Sequence, residues 1–206
     1  MPDPSGKEPI LDFIRFHIRE EWDRLAAEFS SLDNSAFVFQ AMPNVHSIGW
    51  HVRHVIEWRY ALVHVLICGK QNEENLTCLG WEKEPLIQAI TSIRHWHEPA
   101  YTVAESLRFA RSVRDTTDAD LLALPVARHW DTVVFPWRTN RLLDEIFQDT
   151  RHSALHRGHI REIKKEYGRR IAANRGSSNP DLTNIGAGVA NIDGVLSRIG
   201  NTTDAQ

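Results

Sequence analysis

The stretch Asn44–Tyr60, NVHSIGWHVRHVIEWRY, decides how the rest of the chain is read. Ile48, Val52 and Val55 recur at steps of four and three, and Leu62 and Leu66 continue the face beyond it, which is the period of a helix buried along one side. Ser47 suits an N-cap and Gly69 a stop, so the pattern predicts a helix from about Ser47 to Cys68. The same segment carries His46, His51 and His54 together with Trp50 and Trp58. Imidazoles set into an inward-facing helix call for partners, and the candidates lie in a second stretch much further along the chain.

That stretch is DTRHSALHRGHIREIKKEYG, residues 149–168. It falls in a helix predicted over about Asn140–Tyr167, with Leu143, Ile146, Phe147, Ile160 and Ile163 apolar and Gly168 as its C-cap. His152 and His156 are four apart and His159 follows three later. At ~100° per residue, His156 stands about 40° to one side of His152 and His159 about 20° to the other. Ile146, Phe147, Leu155 and Ile163 flank this stripe, so it faces partly inward. Two histidines at i and i+4 on a helix can hold one metal ion. A third imidazole from a facing helix completes a site that keeps positions open for water or substrate, the arrangement of catalytic rather than structural zinc. Helix periodicity puts His51 nearer the centre of its apolar face than His54, and spacing alone leaves both as the third ligand.

SIGWHVRH paired with HSALHRGH resembles the DinB-like superfamily, which includes YfiT-type proteins and thiol-dependent transferases. That family opens its second helix with Ser-Ile-(Gly) ahead of a histidine and carries His-x-x-x-His-Arg-Gly-Gln in its fourth. The resemblance matches Ser47, Ile48 and Gly49 to the helix start, and Arg157 and Gly158 to the Arg-Gly pair. It implies His54, His152 and His156 as the metal ligands, with His51 lining the pocket. It covers roughly residues 8–170 and implies an all-α, four-helix bundle of the DinB/YfiT-like type with long crossover loops, one divalent metal at a three-histidine site, and a homodimer. The sequence departs from the pattern at His159, where the family usually has glutamine. Trp50-His51-x-x-His54 also resembles the iron-binding domain of ergothioneine sulfoxide synthases. Those enzymes need a second catalytic domain for which 206 residues leave no room, so that activity is not expected.

Outward from these two helices, Ile10, Ile14, Ile18, Trp22, Leu25 and Phe29 predict a first helix over about Pro9–Phe29. Thr102-Val-Ala-Glu105 is a capping-box pattern that opens a third helix through Val103, Leu107, Ala110 and Val113, with a separate turn around Asp118–Leu124. Residues 70–99 read as loop with a short helix around Leu86–Ile93, and ARHWDTVVFPWRTN as irregular or briefly extended. Residues 1–174 are expected to form the bundle, and 175–206 a linker followed by a short amphipathic tail carried by Ile185, Val189, Ile192, Leu196 and Ile199.

Composition narrows the function classes. A net charge of −3 asks for neither nucleic acid nor an anionic membrane. The basic end of REIKKEYGRR suits a helix C-terminus and needs no nucleic acid to explain it. No apolar run reaches the ~20 residues of a membrane span. MPDPSGKEPI lacks the basic-then-apolar build of a signal peptide, and two cysteines are too few for a disulfide framework, so a cytoplasmic protein is expected. The eleven histidines are assigned one by one. His17 and His64 are read as helix-surface residues, His46 as part of the loop before the second helix, and His95 and His97 as a solvated loop pair. His51, His129 and His159 are the candidates to move protons. Trp50, Trp58, Trp96, Trp130 and Trp137 are read as core or pocket wall, and Arg138 and Arg141 as solvated or as holding an anionic substrate.

The expected function is a divalent-metal-dependent transferase or isomerase that uses a low-molecular-weight thiol on a small electrophilic substrate. A non-catalytic metal-binding stress or interaction module and a metal-dependent hydrolase are the alternatives. Imidazole ligands suit zinc, nickel and iron, with zinc first on availability.

Overall fold

The computed structural model describes residues 9–43, 45–79, 101–128, 130–135 and 138–176. The predicted short helix at Leu86–Ile93 and the amphipathic tail lie outside them, as do His95, His97, His129, Trp96 and Trp137. The described chain is mostly helical.

Helix α1, Pro9–Phe29, buries Leu11, Ile14, Ile18, Trp22, Leu25 and Phe29 along one face, as its three-and-four spacing requires. A short helix α2, Asn34–Phe37, follows, with the Asp33 side chain accepting the Ala36 N–H. Its Phe37 is fully buried, 5.8 Å from the Phe29 ring. Phe37 also explains Gly49, because a Cβ there would stand 3.0 Å from Phe37 Cε1.

Helix α3, Ile48–Arg59, starts where the sequence places it, with the Ser47 hydroxyl accepting the Trp50 N–H at 3.1 Å. From Tyr60 to Ile67 the helix widens to π geometry, and the Cys68 N–H donates to the Val63 carbonyl five residues back. It stops at Gly69, whose φ of 67° supplies the left-handed residue of a helix C-terminus. A 3₁₀ turn at Thr77–Leu79 then sits over α3, its Cys78 and Leu79 N–H groups donating to the buried Glu57 carboxylate.

Helix α4, Val103–Ala123, carries the Thr102–Glu105 capping box. It is one uninterrupted helix and takes in the segment read as a separate turn from Asp118, because Asp118 and Asp120 are held from outside the helix. Asp118 accepts two hydrogen bonds from Arg15 of α1, and Asp120 takes His64 and Lys70. Strands β1, Thr132–Phe135, and β2, Arg138–Arg141, form an antiparallel hairpin in the stretch read as irregular or extended.

Helix α5, Leu142–Gly176, runs through Gly168 instead of stopping there. An isolated glycine costs a helix about 1 kcal/mol against alanine, and the lysines, glutamates and arginines around it are good helix formers. Among the described residues positive φ occurs at Gly69 and at no other glycine. α4 touches both α1 and α3. α5 reaches α1 through Arg157–Glu21 and Lys164–Glu28, and α3 through Arg59–Asp149. The chain divides into two compact units, Met1–Tyr167 and Gly168–Gln206. Both helix stretches that carry the paired histidines, His51 with His54 and His152 with His156 and His159, belong to the first.

Candidate metal centre

α3 is buried on most of its circumference, with Ile48, His51, Val52, Arg53, Val55, Ile56, Glu57 and Arg59 all shielded. A helix in that position has more than one inward side. His51 and His54, about 60° apart around the axis, both turn toward α5. His51 stands against His156 and His159, and His54 against His152 and His156, so both of the candidates that periodicity and motif offer reach the α5 stripe.

Three Nε2 atoms converge. His54 Nε2 is 3.3 Å from His152 Nε2, which is 2.9 Å from His156 Nε2. His54, His152 and His156 form a group able to hold a metal ion, their ligand atoms all within 4.8 Å of one another. Two imidazole nitrogens on one zinc at about 2.0–2.1 Å and a tetrahedral angle stand ~3.3 Å apart, close to this spacing. Hydrogen bonding alone cannot satisfy the cluster. Each ring nitrogen offers one proton or one lone pair, so His152 Nε2 cannot satisfy two neighbouring Nε2 atoms at once. A cation accepting all three lone pairs can, and the donor set therefore fits a metal.

Coordination through Nε2 would leave each proton on Nδ1. His156 Nδ1 has a partner for it in His51 Nδ1, 2.8 Å away. The Nδ1 atoms of His54 and His152 are buried without a hydrogen-bond partner among the described residues. Packing orients His54 instead. Trp50 lies between two imidazoles, stacked on His46 with ring centres 3.5 Å apart and on His54 at 4.6 Å. Trp58 leans on the His152 ring at 5.5 Å.

Burial favours the neutral form of all three rings, the form a metal would require. The pKa of His54 is held well below the ordinary histidine value, first by desolvation and then by the neighbouring His152, His51 and His46. Desolvation likewise depresses His152, where Asp149 opposes it and Arg59 adds to it. His156 is also lowered, by burial first and then by His54, His152, His51 and His159.

A second group able to hold a metal consists of His51, His156 and His159. It borders a pocket of about 390 Å³ lined by Ala41, Val45, His46, His51, His159, Glu162 and Ile163. His159 is exposed at this edge, whereas His51 and His156 are buried. Of the proton-transfer candidates, His51 and His159 thus stand together beside His156, and His129 lies outside the described residues.

Several partners were not visible in the helix patterns. Arg59, 1% exposed, donates to Asp149 and to the Ser153 hydroxyl, which joins α3 to α5 one turn from the cluster. Arg53 stacks on the Tyr101 and Phe109 rings and pairs with Glu57. Four charged residues inside WHVRHVIEWR and HSALHRGH's approach, Arg53, Glu57, Arg59 and Asp149, were the available signal, since a helix this apolar shields charges only in pairs. His46, read as a loop residue, lines the pocket and stacks on Trp50.

Other assignments change. His64 is not a free surface residue, because its Nδ1 is 2.6 Å from Asp120 and Tyr60 stacks on its ring. His17 is half-buried against Phe13. Leu155 is 58% exposed and does not flank an inward stripe, since its position points away from α3. Trp130 is also exposed and is no part of the core. Arg138 and Arg141 are engaged by Glu145 and Asp144, which leaves neither as a ready anion site. Cys68 and Cys78 are free thiols.

A family model described as the DinB superfamily matches residues 17–160, a span that contains both histidine groups. No curated protein matches the chain.

Proposed function

The chain belongs to the DinB superfamily, and on that premise we propose that it is a divalent-metal-dependent enzyme, a thiol-dependent transferase or isomerase acting on a small electrophilic substrate. His54, His152 and His156 are its ligands, and the four long helices form one bundle with crossover loops. Zinc is the first choice of metal, with nickel and iron behind, and the enzyme works as a cytoplasmic homodimer. The observation that carries this reading is the convergence of three Nε2 atoms, with contacts of 2.9 and 3.3 Å, beside a pocket. When bound, a cation with three neutral imidazole ligands keeps its charge and lowers the pKa of a water or thiol in its open position.

The chain's own residues do the rest. Trp50 fixes the plane of His54, and His51 accepts the His156 Nδ1 proton, which holds that ring with Nε2 turned inward. His159, exposed at the pocket edge, is placed to exchange a proton with a substrate there. Ala41, Val45 and Ile163 give the pocket an apolar wall that suits a small molecule with a hydrophobic body. One observation favours the non-catalytic alternative. The pocket is bordered by His51 and His159 and by none of His54, His152 and His156, so the ligands are withdrawn from it.

Elemental analysis of untagged protein tests the reading. About one metal per chain as isolated is expected, with loss in His54→Ala and in His152→Ala. A screen of small thiols against electrophiles then separates the two classes. Turnover that disappears in both variants supports the enzyme, and full metal occupancy without turnover of any thiol or ester supports the binding module. Protein that takes up no zinc, nickel or iron rules out both.

A further inference from the structure

The geometry points to a second cation site, built from His51, His156 and His159, that shares the His156 ring with the first. It rests on the proposed function only through that shared ring. The two nitrogens of His156 face opposite ways. Nε2 meets His152, and Nδ1 meets His51 at 2.8 Å. The ligand atoms of His51, His156 and His159 lie within 4.8 Å of one another, the same criterion that the first group meets. The ring centres are 5.1 Å apart for His51 and His156, 5.1 Å for His51 and His159, and 5.8 Å for His156 and His159.

Imidazole that has lost both ring protons binds a cation at each nitrogen. With metal–nitrogen bonds of about 2.0–2.1 Å on either side of one ring, the two cations stand roughly 6 Å apart. At single occupancy the His156 Nδ1 proton occupies the line to His51 Nδ1. The second cation takes the place of that proton, and one proton leaves to solvent for each cation gained. The displacement makes the second site the weaker one, filled when cation is added rather than as isolated. Two of its imidazoles, His51 and His159, line the pocket of about 390 Å³, so a cation held there would be open to a ligand from that side. A neutral three-histidine set selects borderline divalent ions, zinc, copper, nickel or cobalt, over calcium or magnesium. The ligand class suited to the open positions is a small anionic or thiolate donor entering past His159.

Calorimetric titration of the full chain with zinc(II), starting from protein loaded at the first site, tests this. A second equivalent is expected in the wild type, with release of one proton. His159→Ala, which alters an exposed side chain and should leave the fold intact, takes up no second equivalent and keeps the first. His51→Ala behaves alike, with helix content checked by circular dichroism. His152→Ala loses the first equivalent and keeps the second. Copper(II) in both sites of the wild type gives a spin-coupled pair by electron paramagnetic resonance, and His156→Ala gives none.

A wild type that stops at one equivalent, lost in His152→Ala and kept in His159→Ala, overturns the second site and leaves the first. A second equivalent that survives in both His159→Ala and His51→Ala is adventitious binding elsewhere and also overturns it. So does a result in which these two variants only weaken the first cation by about 10–100-fold, the effect of residues that merely orient a ligand. A single equivalent lost in His159→Ala but kept in His152→Ala makes the His51 group the resident site and removes the proposed function instead. No binding at all removes both.

Discussion

His156 is the residue on which both histidine groups depend, and its neighbours show how sequence spacing and structure divide the work. His152, His156 and His159 were legible as one stripe because helical geometry fixes their relative angles. The partner of a buried charge was not, because Arg59 and Asp149 meet across ninety intervening steps of chain that no period connects. The neutral state of His54, His152 and His156 has a consequence for pH. All three have depressed pKa values in the native state, while an unfolded histidine titrates near ~6.5. Below ~6.5 the unfolded chain therefore binds protons on these rings that the folded, metal-free chain does not. Their contribution to stability is complete above that pH and is lost as pH falls through and below it. Urea midpoints of metal-free protein at pH 7.5 and 5.5 should differ, lower in acid, and His156→Ala should flatten the difference. A midpoint independent of pH across that range would show that the rings bind protons in the fold as readily as in the unfolded chain.

At the scale of elements, the helix ends were the most legible part. Ser47, Thr102 and Gly69 act through their own backbone or side chain within a few residues, so a local pattern suffices. Gly168 misleads because a glycine permits a helix stop without compelling one, and α5 continues past it. The π segment Tyr60–Ile67 leaves no trace in the apolar spacing, since Leu62 and Leu66 serve either ladder. Replacing Thr102 with alanine removes the hydroxyl that accepts the Glu105 N–H, leaves the backbone N–H bond to the Glu105 carboxylate, and should cost about 1 kcal/mol in chemical unfolding. Asp149→Ala is a harsher change. It strands the Arg59 guanidinium, 1% exposed, and should cost about 3–5 kcal/mol, with Asp149→Asn recovering part of the loss. A cost below that of the Thr102 change would mean that Arg59 finds another partner.

For the molecule as a whole, the helical class follows from the periodicities, and the match over residues 17–160 fixes the superfamily. Both histidine groups lie in the unit Met1–Tyr167. A chain ending at Gly176 should therefore keep its helical circular dichroism and its metal content, and loss of metal on truncation would assign a ligand or a stabilising contact to the residues removed. The sandwich of His46, Trp50 and His54 also has an optical meaning. An indole stacked on a histidine has its emission set by the charge state of that imidazole and by any open-shell ion beside it. With Trp50 stacked on His54 and Trp58 against His152, an ion bound at the proposed site would be expected to change tryptophan emission, so its filling and emptying could be followed in unlabelled protein and in real time.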